Sequence, residues 1–174
     1  LDLQWGSSNG MYGLGIEGRP EDAFRNTTAA SDFQQVSWQH LWASGDESKL
    51  TFSRASRRSR DPYICIDSEA CQNKVMGKTV AEGFTSREVF TQRHDLELQN
   101  TTQLSPNNRL VWGGDLRSDY ANFPLLFTHP QTVNSWQIFA HDEWRLRDAA
   151  VLNVGAMVED DGMGNRSISP RTSL

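Results

Sequence analysis

With 174 residues, a net charge of -5 and a mean hydropathy of -0.61, the chain has the length of one domain and no electrostatic reason to bind nucleic acid. No apolar run approaches the ~18 residues of a membrane-spanning helix, so a helical membrane protein is excluded. A membrane β-barrel is not excluded, because strands that alternate lipid-facing and water-facing side chains can average to the hydropathy of a soluble protein.

In chain order, period-2 alternation dominates and predicts an antiparallel all-β protein. Leu1, Leu3 and Trp5 form a first run that the polar, glycine-bounded stretch 6–10 interrupts, and Tyr12, Leu14 and Ile16 then complete a short hairpin. Residues 18–30 read as a loop. Val36, Trp38 and Trp42 mark a strand over 32–42, a turn follows at 43–47, and Leu50 and Phe52 mark the return. Residues 57–87 show neither period and read as the longest loop. Leu96, Leu98 and Leu104 then oppose Arg93, Asp95, Glu97, Gln99 and Gln103 along 90–104. The turn residues Ser105-Pro106-Asn107-Asn108 lead into a strand with Leu110, Trp112, Leu116 and Tyr120 on one side. After a loop at 122–131, Trp136, Ile138, Ala140 and Trp144 define another strand, and a tight turn at 147–148 precedes Leu152, Val154, Ala156 and Val158. Glu159-Asp160-Asp161-Gly162 reads as the opening of a further loop.

Three properties favour a transmembrane barrel over a soluble sandwich. Several strands exceed the ~5 to 6 residues usual in soluble sheets and meet the ~9 to 11 that cross a bilayer obliquely. Short and long connections alternate, as periplasmic turns and extracellular loops do. Trp42, Trp112 and Trp144 sit near short turns while Phe90, Tyr120 and Trp136 sit near long loops, which suggests two aromatic girdles. Leu96, Leu98, Leu110, Trp112, Leu116, Ile138, Leu152 and Val154 are accordingly expected to face lipid. Arg93, Asp95, Glu97, Asp115, Arg117, His141, Glu143 and Arg145 carry too much charge for a sandwich core, although a solvent-exposed face of a soluble sheet would also accept them.

Arg54, Arg57, Arg58 and Arg60 cluster where a strand enters the longest loop, a basic rim suited to an anionic ligand or a lipopolysaccharide phosphate, or simply a solvated charge run. Cys65 and Cys71 lie six positions apart in that loop and read as a disulfide, ahead of free thiols and of a zinc site that would need distant ligands. The acidic run 159–161 offers oxygens to a hard cation but lacks a calcium loop's spacing, and a solvated loop is the plainer account. His141 and Glu143 share a strand face, where a metal or proton-relay role competes with that of an ordinary polar pair. No nucleophile elbow, phosphate loop or metalloprotease motif occurs, so an enzyme is not expected, and no cofactor is.

The segments Arg109-Leu-Val-Trp-Gly-Gly-Asp-Leu-Arg117, Gln131-Thr-Val-Asn-Ser-Trp-Gln-Ile-Phe-Ala-His-Asp-Glu-Trp144, Leu152-Asn-Val-Gly-Ala-Met-Val-Glu-Asp160 and Ser169-Pro170-Arg171 resemble, in that order, successive barrel strands of TonB-dependent outer-membrane receptors. The resemblance is best over 90–174. It implies a bacterial outer-membrane location, a lipid environment and uptake of a small-molecule ligand such as a ferric siderophore. Energy would come from the TonB complex through parts of a parent protein outside this chain, since neither a plug domain nor an energy-coupling box is found in it. The opening Leu1-Asp2-Leu3, without a targeting signal, and the unfinished 167–174 likewise read as the interior of a longer barrel, so the whole of 1–174 is expected to be one barrel segment. Two other classes remain open: a small closed outer-membrane barrel with an adhesive or structural role, and a soluble all-β binding module or hydrolase.

Overall fold

A strand whose side chains alternate in character can satisfy its backbone only by pairing on both sides, and this chain does so by folding back on its nearest neighbour each time. The computed structural model describes residues 1–18, 24–64, 84–124, 126–147 and 149–174. They form eight antiparallel strands: β1 (Asp2–Leu14), β2 (Arg25–Leu41), β3 (Glu47–Ile64), β4 (Phe84–Ser105), β5 (Asn108–Asn122), β6 (Gln131–Arg147), β7 (Ala150–Asp160) and β8 (Arg166–Ser173). All belong to one sheet, ordered β1 to β8 as in the chain. The described residues contain no helix. The all-β, up-and-down expectation therefore holds, while the sheet is open: among the described residues no strand pairs with the outer edge of β1 or β8.

Several boundaries differ from the sequence reading, each because tertiary pairing outweighs local turn propensity. Residues 6–10 do not break the first strand. They pair in register with β2, Ser7 opposite Asp32 and Ser8 opposite Ser31, and the two serine hydroxyls of Ser8 and Ser31 lie 2.8 Å apart. Within the expected loop at 18–30, β2 already starts at Arg25, and within the expected loop at 57–87, β3 and β4 stay paired out to Ile64 and Phe84. The charged residues there alternate between faces, so they suit a two-sided polar strand as well as they suit a loop. At the other end, the loop predicted from 159 is a short turn, and β8 follows it. Pro170 is tolerated in β8 because that strand has a neighbour on one side alone among the described residues.

Register fixes two faces. On one, a row runs across six strands through Leu3, Val36, Phe52, Leu96, Leu116 and Trp136, and the next contains Trp38, Leu50, Leu98, Gly114, Ile138, Val158 and Ile168. Leu110, Trp112, Leu152 and Val154 share this face, so all eight side chains expected to face lipid do lie on one side. Much of the row is solvent-exposed, Leu116 at 60% and Ile138 at 56%. The opposite face carries Arg93, Asp95, Glu97, Asp115, Arg117, His141, Glu143 and Arg145. The buried residues among those described, Thr27, Asp61, Gly113 and Asp115, are all on this polar face, so the sheet curls toward its charge and away from its apolar side chains. On the same face Gly113 lies under the Phe139 ring, and a Cβ there would stand 2.2 Å from the Leu98 carbonyl oxygen, so a close crossing of backbones requires glycine.

Short turns close one end. At 42–46 the Gly45 amide donates to the Trp42 carbonyl at 2.9 Å, and Gly45 takes the left-handed φ of 89° that glycine tolerates. Pro106 and Asn107 make the tighter β4–β5 connection, with Ser105 opposite Asn108. Glu47, which opens β3, shares a cross-strand row with Thr101, Val111 and His141, and β6 continues from His141 to Arg147. The rim of short turns thus slants across the rows.

Candidate functional site

Of the four arginines expected to line a loop rim, none lies on a loop: all are in β3, and alternation divides them. Arg54, Arg58 and Arg60 stand on the apolar face and Arg57 on the polar one. The four therefore stand on two separate surfaces. Arg54 is held by its neighbours, donating to Asp32 Oδ1 at 2.7 Å, while the Gln92 amide, turned with its oxygen toward Arg54, accepts at 2.7 and 3.0 Å. Ser56 donates to the second Asp32 oxygen. Arg58 and Arg60 share one carboxylate, Glu88, at 3.2 and 3.4 Å, and Arg58 also lies over the Phe90 ring, 5.3 Å from its centre.

Arg57 faces a hollow of about 740 Å³ on the polar side, lined also by Ser8, Ser31, Phe33, Arg93 and Asp119. Among the described residues Arg57 has no ion-pair partner. Arg93 beside it is engaged, its guanidinium donating to both oxygens of Asp119 at 2.6 and 3.2 Å. The hollow combines an aromatic wall, hydroxyls and an unneutralised cation, which suits an anion with an apolar portion. Phe33 was not singled out from the sequence. The available signal was that it departs from the alternation of β2, standing among Ser31, Gln35 and Ser37 on the polar side.

The polar face continues as cross-strand ion pairs. Arg117 donates to Asp95 at 3.0 Å, and at the ends of β2 and β3 away from the 42–46 turn Arg25 forks onto Asp61, with one bond of 2.8 Å, while the buried Thr27 hydroxyl lies 3.4 Å from the same carboxylate. Both side chains of that ion pair are nearly buried. His141 and Glu143 do not converge: the His141 ring lies 3.2 Å from Asn153 Oδ1, and Glu143 lies 3.9 Å from Arg109. The carboxylates of 159–161 point apart. Glu159 accepts from Ser167, Asp160 pairs with Arg166 on the other face, and Asp161 caps its own turn. That geometry replaces a cation loop with three local contacts. Among the described residues no group of three or more His, Cys, Asp or Glu side chains gathers as a metal site would require. Cys65 and Cys71, expected to pair, lie outside the described residues.

On the apolar face, Trp38 stacks on His40, His40 meets Trp42 edge-on beside the 42–46 turn, and the Trp42 indole donates to Ser48 at 2.9 Å. Phe90 and Tyr120 meet edge-on, ring centres 6.0 Å apart, near the opposite end. No family model, curated protein or solved structure matches the chain.

Proposed function

We propose that this chain is part of the wall of a bacterial outer-membrane β-barrel, in a receptor of the TonB-dependent kind that takes up a scarce nutrient such as a ferric siderophore. One observation carries the reading: the apolar face is exposed across eight strands while the curled-in face is charged and hydrogen-bonded. A protein in water would invert this arrangement, since an apolar patch of this breadth is costly unless something apolar covers it. Strand lengths of 11 to 22 residues in β2 through β7 agree with it. The segment resemblance adds the receptor class, and TonB would act through parts of the parent protein outside this chain.

In this reading Arg57 and Phe33 belong to a water-filled interior and contribute to holding an anionic ligand as it passes. Guanidinium suits that task because it stays charged and presents paired donors to carboxylate or catecholate oxygens. The test uses the full-length receptor that carries this segment, with tryptophan retained only at Trp38, Trp112, Trp136 and Trp144, refolded into phosphatidylcholine vesicles carrying brominated acyl chains. Quenching of tryptophan emission is expected, because Trp38, Trp112, Trp136 and Trp144 all lie on the apolar face; emission indifferent to bromination overturns the membrane reading. Arg57→Glu is expected to weaken uptake of an anionic ferric chelate and flatten its salt dependence, and unchanged uptake removes the ligand role alone.

A second reading, a closed eight-stranded barrel with an adhesive or structural role, is favoured by the even strand number, which makes β1 and β8 antiparallel and able to pair. Cysteines introduced facing outward on the two edges and cross-linking at zero length would support it over the larger receptor.

A further inference from the structure

We propose that the ligand group held in the hollow beside Arg57 is a flat aromatic ring bearing one carboxylate; this rests on the receptor reading above and names the chemistry of that same site. One cross-strand row on the polar face builds the place: Gly6, Phe33, Ala55, Arg93 and Asp119 lie side by side. Its two flat groups, the Phe33 ring and the Arg93 guanidinium, stand two strands apart with only the Ala55 methyl between them. A Cβ at Gly6 would strike the Phe33 ring, so the ring leans onto β1 and away from Ala55. On the other side Asp119 draws the Arg93 guanidinium toward β5, accepting at 2.6 and 3.2 Å. A slot is left over Ala55, which is itself exposed, and Phe33 is 46% exposed.

Width, wall chemistry and charge single out the occupant. Strands ~4.8 Å apart set the backbones of the two walls ~10 Å apart, and a flat ring in contact on both faces needs ~7 to 8 Å. Both walls favour a π face over a saturated group, one as ring on ring and the other as guanidinium on ring. Arg57 stands two residues along β3 from Ala55, ~7 Å away, flanked by Ser31 and Thr91 in its own row. A carboxylate on the edge of the ring comes within reach of its guanidinium, which has no ion-pair partner among the described residues, and of the two hydroxyls. One charge is the limit. Arg93 is already neutralised, and a second carboxylate on the far edge of the ring would meet Asp119.

The experiment uses the full-length receptor in phosphatidylcholine vesicles and reads the binding of small carboxylates by saturation-transfer NMR. Benzoate should bind about fivefold more tightly than cyclohexanecarboxylate, the scale of one aromatic stacking contact. Terephthalate, with its second carboxylate, should bind more weakly than benzoate. Phe33→Leu should remove the preference for the flat ring. Arg57→Gln should lower benzoate affinity about tenfold, the scale of one charge-assisted hydrogen-bonded contact, and Arg57→Lys should restore most of it. Ala55→Leu, at an exposed position, should fill the slot and abolish benzoate binding. Benzoate that fails to bind, or binds no better than cyclohexanecarboxylate, overturns the aryl-carboxylate assignment and leaves the barrel reading standing. A Phe33→Leu receptor that keeps the preference, or an Ala55→Leu receptor that still binds, does the same. Benzoate affinity indifferent to Arg57→Gln overturns the site, and tryptophan emission indifferent to brominated lipid overturns the barrel reading and this inference with it.

Discussion

Asp161 shows how much one side chain decides in a structure without a packed interior. In the β7–β8 turn its Oδ1 accepts from the backbone amides of Met163 at 2.7 Å and Asn165 at 3.1 Å, and its Oδ2 accepts from the Asn165 side chain at 2.7 Å. These donors, the Asn165 amide first, hold the carboxyl below the usual carboxylate range. A lowered pKa means that the turn gains from ionisation at all pH values above the ordinary range and loses that gain as pH falls through the lowered value. Hydrogen exchange at the Met163 and Asn165 amides, corrected for intrinsic rate, should therefore stay protected to mildly acidic pH and lose protection below it. In Asp161→Ala the protection should be weak at every pH. Protection in the variant equal to wild type would show that strand pairing alone closes the turn.

At the scale of elements, the β4–β5 pair sets favourable and unfavourable contacts side by side. Arg93 faces Asp119 and Asp95 faces Arg117, but the next pair along the same face is Glu97 opposite Asp115, and Asp115 is buried. Like charges directly opposed across strands oppose pairing by ~0.2–1 kcal/mol, and burial does not relieve them. Asp115→Asn is expected to stabilise the protein by about that amount, read as a higher urea midpoint with unchanged slope. Asp119→Asn should act the other way, by less than about 1 kcal/mol, because Arg93 is half exposed and water screens the pair. A lower midpoint for Asp115→Asn would mean that the carboxylate is held by contacts stronger than the repulsion.

For the whole molecule, adjacent residues test the faces most directly. Leu116 lies in the apolar row and Arg117, next along β5, pairs with Asp95 on the other side. Leu116→Arg should cost ~2–4 kcal/mol in a bilayer if the position is near the midplane, whereas Arg117→Leu should cost about 1 kcal/mol or less, the value of one half-exposed ion pair. Denaturant titration of vesicle-inserted protein, followed by tryptophan emission, measures both. Equal costs would refute the assignment of the apolar face to lipid.

The sequence by itself determined the strand class, the two faces and the short turns, because period-2 alternation and residues such as Pro106, Asn107 and Gly45 act locally and need no partner to be read. Tertiary structure decided how far the strands extend. Gly6 and Ser7, or Arg57 to Arg60, carry turn-like or polar propensity, and only a paired neighbour supplying hydrogen bonds on register keeps them extended. It also decided which arginine meets which surface. Proximity in sequence grouped Arg54, Arg57, Arg58 and Arg60, but a pleated strand turns odd and even positions to opposite sides, so three stand with the apolar rows and one looks into the hollow. Their partners, Asp32 on β2 and Glu88 on β4, are distant along the chain and become neighbours through pairing register, which alternation within one strand does not encode.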